Sequence, residues 1–204
     1  MATFVQIGDT HIGKHLHRVR LIDDQQALLD QVIRVLEDVR PDALLITGDV
    51  YDVPSPPEYA VSLLDDFLTR VMHDLKIRTV VIPGNHDAAV RLAFGARAFR
   101  DELHIAGPLT GTVKPVTIED EHGPIQIYPV PFLKPSRVRE ATGDEGVRDQ
   151  QSAMSRVVQD IQDAGLQGRS VLMAHTFVTG GAASDSEQEI GAVGGVETVD
   201  HTTF

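Results

Sequence analysis

Four short clusters carry the side chains that could bind a metal and move a proton: Asp9-Thr10-His11, Gly48-Asp49-Val50-Tyr51-Asp52, Gly84-Asn85-His86-Asp87 and Ala174-His175. Each follows a short apolar run, and each offers carboxylate, amide or imidazole groups. Taken singly, an Asp after such a run is usually a turn former, because its side chain bonds the backbone two residues on. Taken together, the clusters gather carboxylates that would repel one another and raise one another's pKa at a separation of a few ångströms. Divalent cations remove that difficulty. Oxygen and imidazole donors without thiolate suit Mn²⁺, Fe or Zn²⁺. One carboxylate shared between two ions about 3.5–4 Å apart is the usual arrangement for phosphoester cleavage.

The elements that must position these groups are legible around them. Residues 3–7, 43–47, 79–82 and 170–174 are short, β-prone apolar runs, the last three reading as buried strands. Apolar residues recur with helical period over 21–39 and again over 59–72. Pro41 closes the first stripe, and Pro54, Pro56 and Pro57 mark a turn and the start of the second. Strand and helix alternating over residues 3–82 predict a parallel sheet with right-handed crossovers. Ligands of such sheets bind beyond the carboxyl ends of the strands, where the clusters fall. The second half is less regular. It predicts a short helix over 90–99, a hairpin from 112–118 and 125–128 around Glu121-His122-Gly123, and a loop over 129–135. A helix over 147–164 follows, stopped by Gly165, and a Gly/Ala/Ser-rich loop runs from 178 onward.

Composition narrows the chemistry. The chain of 204 residues has no cysteine, which excludes disulfides, thiolate zinc sites, iron–sulfur ligation and a Cys nucleophile, and suits a reducing cytoplasm. No run approaches the roughly 18 apolar residues of a membrane span, and the start lacks the basic and apolar regions of a signal peptide. A net charge of −12 argues against a chain-wide electrostatic grip on nucleic acid, whose affinity comes mostly from Lys and Arg at phosphates. It leaves room for local contacts, and cations over Asp9 and Asp49 would neutralise part of it.

The ordered set D-x-H, G-D-x-x-D, G-N-H-D and a lone His after a strand resembles the calcineurin-like metallophosphoesterases. Within them, DTHIGKHL, GDVYDVPSPPEYA and VVIPGNHDAAVRL resemble the bacterial SbcD-type nuclease subunits. The resemblance runs along essentially the whole chain and is strongest over residues 1–100. It implies an α/β metallophosphoesterase fold, with mixed central sheets flanked by helices. It implies that Asp9 and His11 bind a first metal, that Asp49 bridges two, and that Asn85, through its carbonyl oxygen, and His175 bind the second. Two divalent ions are implied, Mn²⁺ foremost, with Fe or Zn as alternatives. A water acidified between them would attack phosphorus. His86 would touch the scissile phosphate and stabilise the transition state or protonate the leaving oxygen.

Asp52, three residues after Asp49, is expected to orient His86 and keep it protonated, the alternative being a cap of the turn before Pro54. Lys14, His15, His17, Arg18 and Arg91 are candidates for DNA phosphate contacts, the alternative being a solvated face. The resemblance further implies 3′–5′ exonuclease and endonuclease activity on DNA ends and hairpins in recombination, replication and repair. The implied partners are an SbcC-type ATPase and, through the helical faces 21–39 and 57–72, a second copy in a homodimer. The implied location is the cytoplasm, with the nucleoid and without a membrane.

One family motif, a Gly-His-x-His after a further strand, does not occur in these residues. Residues 1–204 are therefore expected to be a metallophosphoesterase catalytic domain incomplete at its carboxyl-terminal end, without capping and ATPase-binding regions. Incomplete metal occupancy and low activity are expected with it. Two other readings stay open: a small-molecule phosphodiesterase or phosphatase of the same superfamily, and a non-catalytic scaffold that binds DNA or a partner protein.

Overall fold

The computed structural model describes residues 1–99, 102–166, 168–179 and 198–204. Its first elements are strand β1 (Phe4–Ile7), the short strands β2 (His15–Leu16) and β3 (Val19–Arg20), helix α1 (Ile22–Val39), β4 (Ala43–Thr47), α2 (Glu58–Thr69) and β5 (Arg78–Ile82). There follow α3 (Ala89–Leu92), β6 (Leu103–Ile105), β7 (Val116–Asp120), β8 (Gly123–Pro129), α4 (Pro135–Thr142) and α5 (Gln150–Asp163). The last are β9 (Arg169–Met173), β10 (Phe177–Thr179) and β11 (Thr198–Asp200). The chain divides into two compact units: 1–108 with 115–131 and 168–175, and 109–114 with 132–167 and 176–204.

In the first unit, β1, β4, β5 and β6 form a parallel sheet in the order β1-β4-β5-β6. Successive side chains of a strand point to opposite faces, and both faces of β4 are covered. Leu44 and Ile46 pack with Leu29, Ile33 and Leu36 of α1 and Leu63, Leu64 and Phe67 of α2. Ala43 and Leu45, with Val80 and Ile82 of β5, pack instead against Ile118, Ile127 and Met173. Those three belong to a second sheet, ordered β7-β8-β9, antiparallel between β7 and β8 and parallel between β8 and β9. Each large aliphatic side chain removed from water in this way contributes about 1.5–3 kcal/mol. The result is the expected α/β arrangement: a helical layer, a parallel sheet and a mixed sheet.

Some local expectations change. The strand expected over 170–174 is only partly covered, with Met173 its one buried residue, because it lies at the edge of the second sheet. The helix expected over 90–99 is one turn followed by a 3₁₀ turn at Ala96–Ala98, broken where Gly95 takes φ +78°. The second stripe ends in a π-helical turn at Arg70–Asp74. From 178 onward, Phe177–Thr179 and Thr198–Asp200 pair as parallel strands, and residues 180–197 of the expected loop lie outside the described residues.

In the second unit α5 starts at Gln150, three residues later than the stripe suggests. The Asp149 side chain accepts from Ser152 N at 2.8 Å in a reciprocal capping box that sets the helix start. Asp200 N donates to Gln151 Oε1 at 2.6 Å and ties β11 to that helix. Among the described residues no helix is long and apolar enough to cross a membrane.

Candidate functional site

The carboxyl ends of β1, β4, β5 and β9, all in the first unit, bring the four clusters together. Pairing between the first two continues past the strands: Asp9 N donates to Gly48 O at 3.1 Å, His11 N to Asp49 O at 2.9 Å and Ile12 N to Val50 O at 2.8 Å. Asp9, His11 and Asp49 have φ of +52°, +41° and +46°. For a side-chain-bearing residue that conformation costs about 1–2 kcal/mol. It persists only where the surroundings over-determine it, which is typical of functional loops.

Two glycines allow the approach. A Cβ on Gly48, itself at φ +95°, would sit on the His175 ring, and one on Gly84 would collide with Asp49 Oδ1 and the Asp49 main-chain nitrogen. Asp87 closes the loops. Its carboxylate accepts from Val50 N at 3.0 Å, Tyr51 N at 2.9 Å and Gly84 N at 2.9 Å, and so joins the β4 and β5 loops.

Asp49 is the centre of the site. Its side chain is 5% exposed, and Oδ1 accepts the His86 N–H at 2.9 Å. Around Oδ2 stand three imidazole Nε2 atoms, of His175 at 3.5 Å, His11 at 3.6 Å and His86 at 4.0 Å. These distances exceed good hydrogen bonds. They suit donors that each stand about 2.0–2.2 Å from a common ion and therefore about 3–3.5 Å from one another. Burial pushes the Asp49 carboxyl up, but the His175 ring, the His86 N–H and the His86 imidazole together hold it below its ordinary value. Burial pushes His175 down, and Asp49, the Thr47 carbonyl and Asp9 raise it above the ordinary imidazole value.

The histidine tautomers follow from the partners. His175 Nδ1 lies 2.9 Å from Thr47 O, and a carbonyl can only accept, so Nδ1 carries the hydrogen. In the neutral ring Nε2 then presents a lone pair, and it lies 3.1 Å from the Asn85 carbonyl oxygen Oδ1. Two lone pairs facing one another at that distance need a proton or a cation between them. His11 Nδ1 is buried with no hydrogen-bond partner, although the Asp52 carboxylate lies 3.3 Å away outside hydrogen-bonding geometry. Side-chain groups within 4.8 Å of one another form two metal-capable sets, Asp9 with Asp49 and His175, and His11 with Asp49 and His86. Both contain Asp49. The donor types and their spacing around Asp49 fit a divalent cation.

Asp9, His11, Asp49, Asn85, His86 and His175 thus come together as the sequence suggests, with two differences. Asp9 groups with His175, and His11 with His86, so the ring expected to stay outside the ligand set shares a group with Asp49. Asp52 does meet the His86 ring, but through its main-chain oxygen, 2.8 Å from Nδ1. Its carboxylate turns to His11 instead, 3.3 Å from Nδ1, and the His11 and His86 rings pack edge to face at 4.8 Å.

The candidate phosphate contacts are spread out. Lys14, His15, His17 and Arg18 are exposed on or beside the β2–β3 hairpin, and Lys14 N donates to His11 O at 3.0 Å. His17 and Arg18 form its tip at φ +46° and +69°, a turn that usually takes Gly or Asn. Arg91 bonds Ser55 Oγ at 2.5 Å. The sequence motif by itself gives Asp87 no role. Gln25 escapes sequence reasoning altogether, although a polar residue four positions from both Leu21 and Leu29 in an apolar stripe is a visible signal.

A family model described as calcineurin-like phosphoesterase matches residues 2–183. The chain belongs to that family, whose fold implies bound divalent metals. The SbcD component of the SbcCD nuclease of Staphylococcus epidermidis is 30% identical over 202 residues, covering 98% of this chain and 53% of that protein. The protein of the same name from Staphylococcus saprophyticus is also 30% identical over 202 residues, covering 98% and 52%. The chain spans about half the length of these relatives. A solved structure of Pseudomonas putida nuclease MPE shares 19% identity at a TM-score of 0.38, covering 65% of this chain and 54% of that one.

Proposed function

We propose that this chain is part of the metallophosphoesterase catalytic domain of an SbcD-type nuclease and hydrolyses DNA phosphodiester bonds, as exonuclease and endonuclease, with Mn²⁺. The observation that carries the reading is the Asp49 carboxylate, with three imidazole Nε2 atoms within 4.0 Å of one oxygen. The 30% identity to two proteins named as SbcD components of the SbcCD nuclease supports the choice of DNA as substrate.

Asp9, His11, Asp49, Asn85 and His175 are the residues that would hold the two ions, Asp49 belonging to both candidate sets. When bound, the cations supply Lewis acidity to the phosphoryl group and lower the pKa of an attacking water. His86 contacts the phosphate and gives its proton to the leaving oxygen. Its side chain is 43% exposed and so accessible to substrate, while the Asp52 carbonyl accepts a hydrogen bond from Nδ1–H and sets the ring's orientation. The Asp52 carboxylate steadies His11 from behind. Lys14, His15, His17, Arg18 and Arg91 position backbone phosphates. An SbcC-type ATPase and a second copy of the chain are the proposed partners, in the cytoplasm, in DNA recombination and repair.

The test is a cleavage panel of duplex ends, hairpin DNA, cyclic nucleotides and p-nitrophenyl phosphate esters, with Mn²⁺ and with EDTA. DNA cut only with Mn²⁺ is the expected result. Intact DNA with a hydrolysed small ester would make the chain a small-molecule phosphodiesterase. DNA binding without Mn²⁺ uptake would make it a scaffold.

A further inference from the structure

We infer that Gln25 is a positioning residue for the metal centre, holding the His11 loop in the backbone conformation that aims its imidazole at Asp49. The inference rests on the metal-centre reading above. Gln25 lies in the first turns of α1, on its inner face, and is 9% exposed. A carboxamide buried that deeply is costly unless its bonds are made, and here they are made to main chain. Oε1 accepts from Gly13 N at 2.9 Å, and Nε2 donates to His11 O at 2.7 Å and Thr10 O at 3.2 Å. One acceptor and two donors meet one N–H and two carbonyls, so no flipped amide satisfies the same set.

The three groups it grips bracket a strained segment, with His11 at φ +41° and Gly13 at +94°. Pairing to Asp49 O and Val50 O holds that segment from the β4 side, and Gln25 holds it from the helix side. Because α1 is anchored in the core through Leu29, Ile33 and Leu36, the side chain transmits a rigid helix position to a ligand loop. Packing alone would not need an amide at this position: Met fills similar volume without burying polar atoms. The amide is explained by the main-chain groups that left-handed residues present to it.

The experiment compares the wild-type chain, Gln25→Met, Gln25→Asn and Leu36→Ala. Gln25→Met keeps volume and removes all three bonds. Gln25→Asn keeps the amide but is one methylene too short, and it stands in if Gln25→Met does not fold. Leu36→Ala loosens the same helix without touching the loop. Mn²⁺ affinity by calorimetric titration, the visible absorption of the Co²⁺-loaded protein and Tm are read on each. Loss of outer-shell support typically weakens a metal about 10–100-fold, so both Gln25 variants are expected to weaken Mn²⁺ at least tenfold and to shift the Co²⁺ bands. Leu36→Ala is expected to lower Tm with wild-type affinity and spectrum. Wild-type Mn²⁺ affinity in the Gln25 variants overturns the inference, and so does an equal loss of affinity in Leu36→Ala. Failure of the wild-type chain to take up Mn²⁺ or Co²⁺ overturns the metal-centre reading itself, a separate outcome.

Discussion

Replacing Gly84 with alanine measures how closely the β5 loop must approach Asp49. The new Cβ would collide with Asp49 Oδ1 and the Asp49 main-chain nitrogen and stand 2.8 Å from Asp49 Cγ. None of these atoms is the far end of a flexible chain, since Asp49 is buried and its Oδ1 is held by the His86 N–H. Restoring ordinary contact distances needs a shift of about 1 Å. Overpacking of this kind costs about 1–3 kcal/mol. The stiffer unfolded chain offsets about 0.4–1 kcal/mol, leaving a net loss of roughly 1–2 kcal/mol. For a chain of this length each kcal/mol is about 2–4 °C, so Tm falls by about 2–8 °C and the protein stays folded.

The functional effect is larger, because an ångström of misplacement in a reacting constellation costs about 100-fold. Mn²⁺-dependent cleavage of a labelled hairpin DNA, Mn²⁺ titration and thermal melts read the three effects together. Gly107→Ala is the control: its Cβ would meet only Ala93 Cβ, at 3.9 Å, and it should change nothing. Wild-type Mn²⁺ affinity and cleavage in Gly84→Ala would refute the reasoning.

Asp52→Asn should weaken Mn²⁺ about tenfold, because the lost charge sits behind His11 while the carbonyl contact to His86 remains; unchanged affinity by equilibrium dialysis would contradict it. Asp87→Ala leaves the N–H groups of Val50, Tyr51 and Gly84 without their acceptor and should lower unfolding free energy by about 3 kcal/mol or more. Urea titration checks this, and a loss below about 1 kcal/mol would mean the loops are held otherwise. The Arg169 guanidinium holds the Asp120 carboxyl well below its ordinary value, helped by the His122 and Ala2 N–H groups. A depressed carboxylate stabilises the fold above its unfolded pKa and loses that contribution as pH falls through the folded one. Asp120→Asn should therefore flatten the decline in urea midpoint that the wild type shows from about pH 4 downward. An unchanged slope would show that other carboxylates dominate acid unfolding.

Elements with a long or strongly periodic signal are legible in the sequence. The ALLIT run of β4 and the 3.6-residue stripe of α1 are readable because each buries one or two whole faces, and burial leaves its period in the residue types. The short elements are not. β2, β3 and β6 have two or three residues each, too few to show a period, and β6 finds its partner elsewhere in the chain. Helix α4 escapes notice although Pro135 at its start and Gly143 in left-handed conformation at its end frame it. Its Pro reads equally well as the end of the preceding loop.

Residue types and order alone determined the chemistry at hand: carboxylates, an amide and imidazoles after apolar runs, without thiolate, suit hard or borderline divalent ions. They also indicated that the first three clusters would meet, because parallel strands of one sheet align their carboxyl ends, whereas His175 arrives from the second sheet. Tertiary structure decided which atom faces which. Asp52 offers its carbonyl to His86 and its carboxylate to His11, and Asp9 groups with His175, because loop dihedrals and ring packing choose among orientations that spacing leaves equal. It alone placed Gln25 on the main chain of the His11 loop, Asp87 on the main chain of Val50, Tyr51 and Gly84, and Gly84 against Asp49. Gln25 and Asp87 bond main-chain atoms of distant or strained residues, and a main-chain atom has no residue type to read.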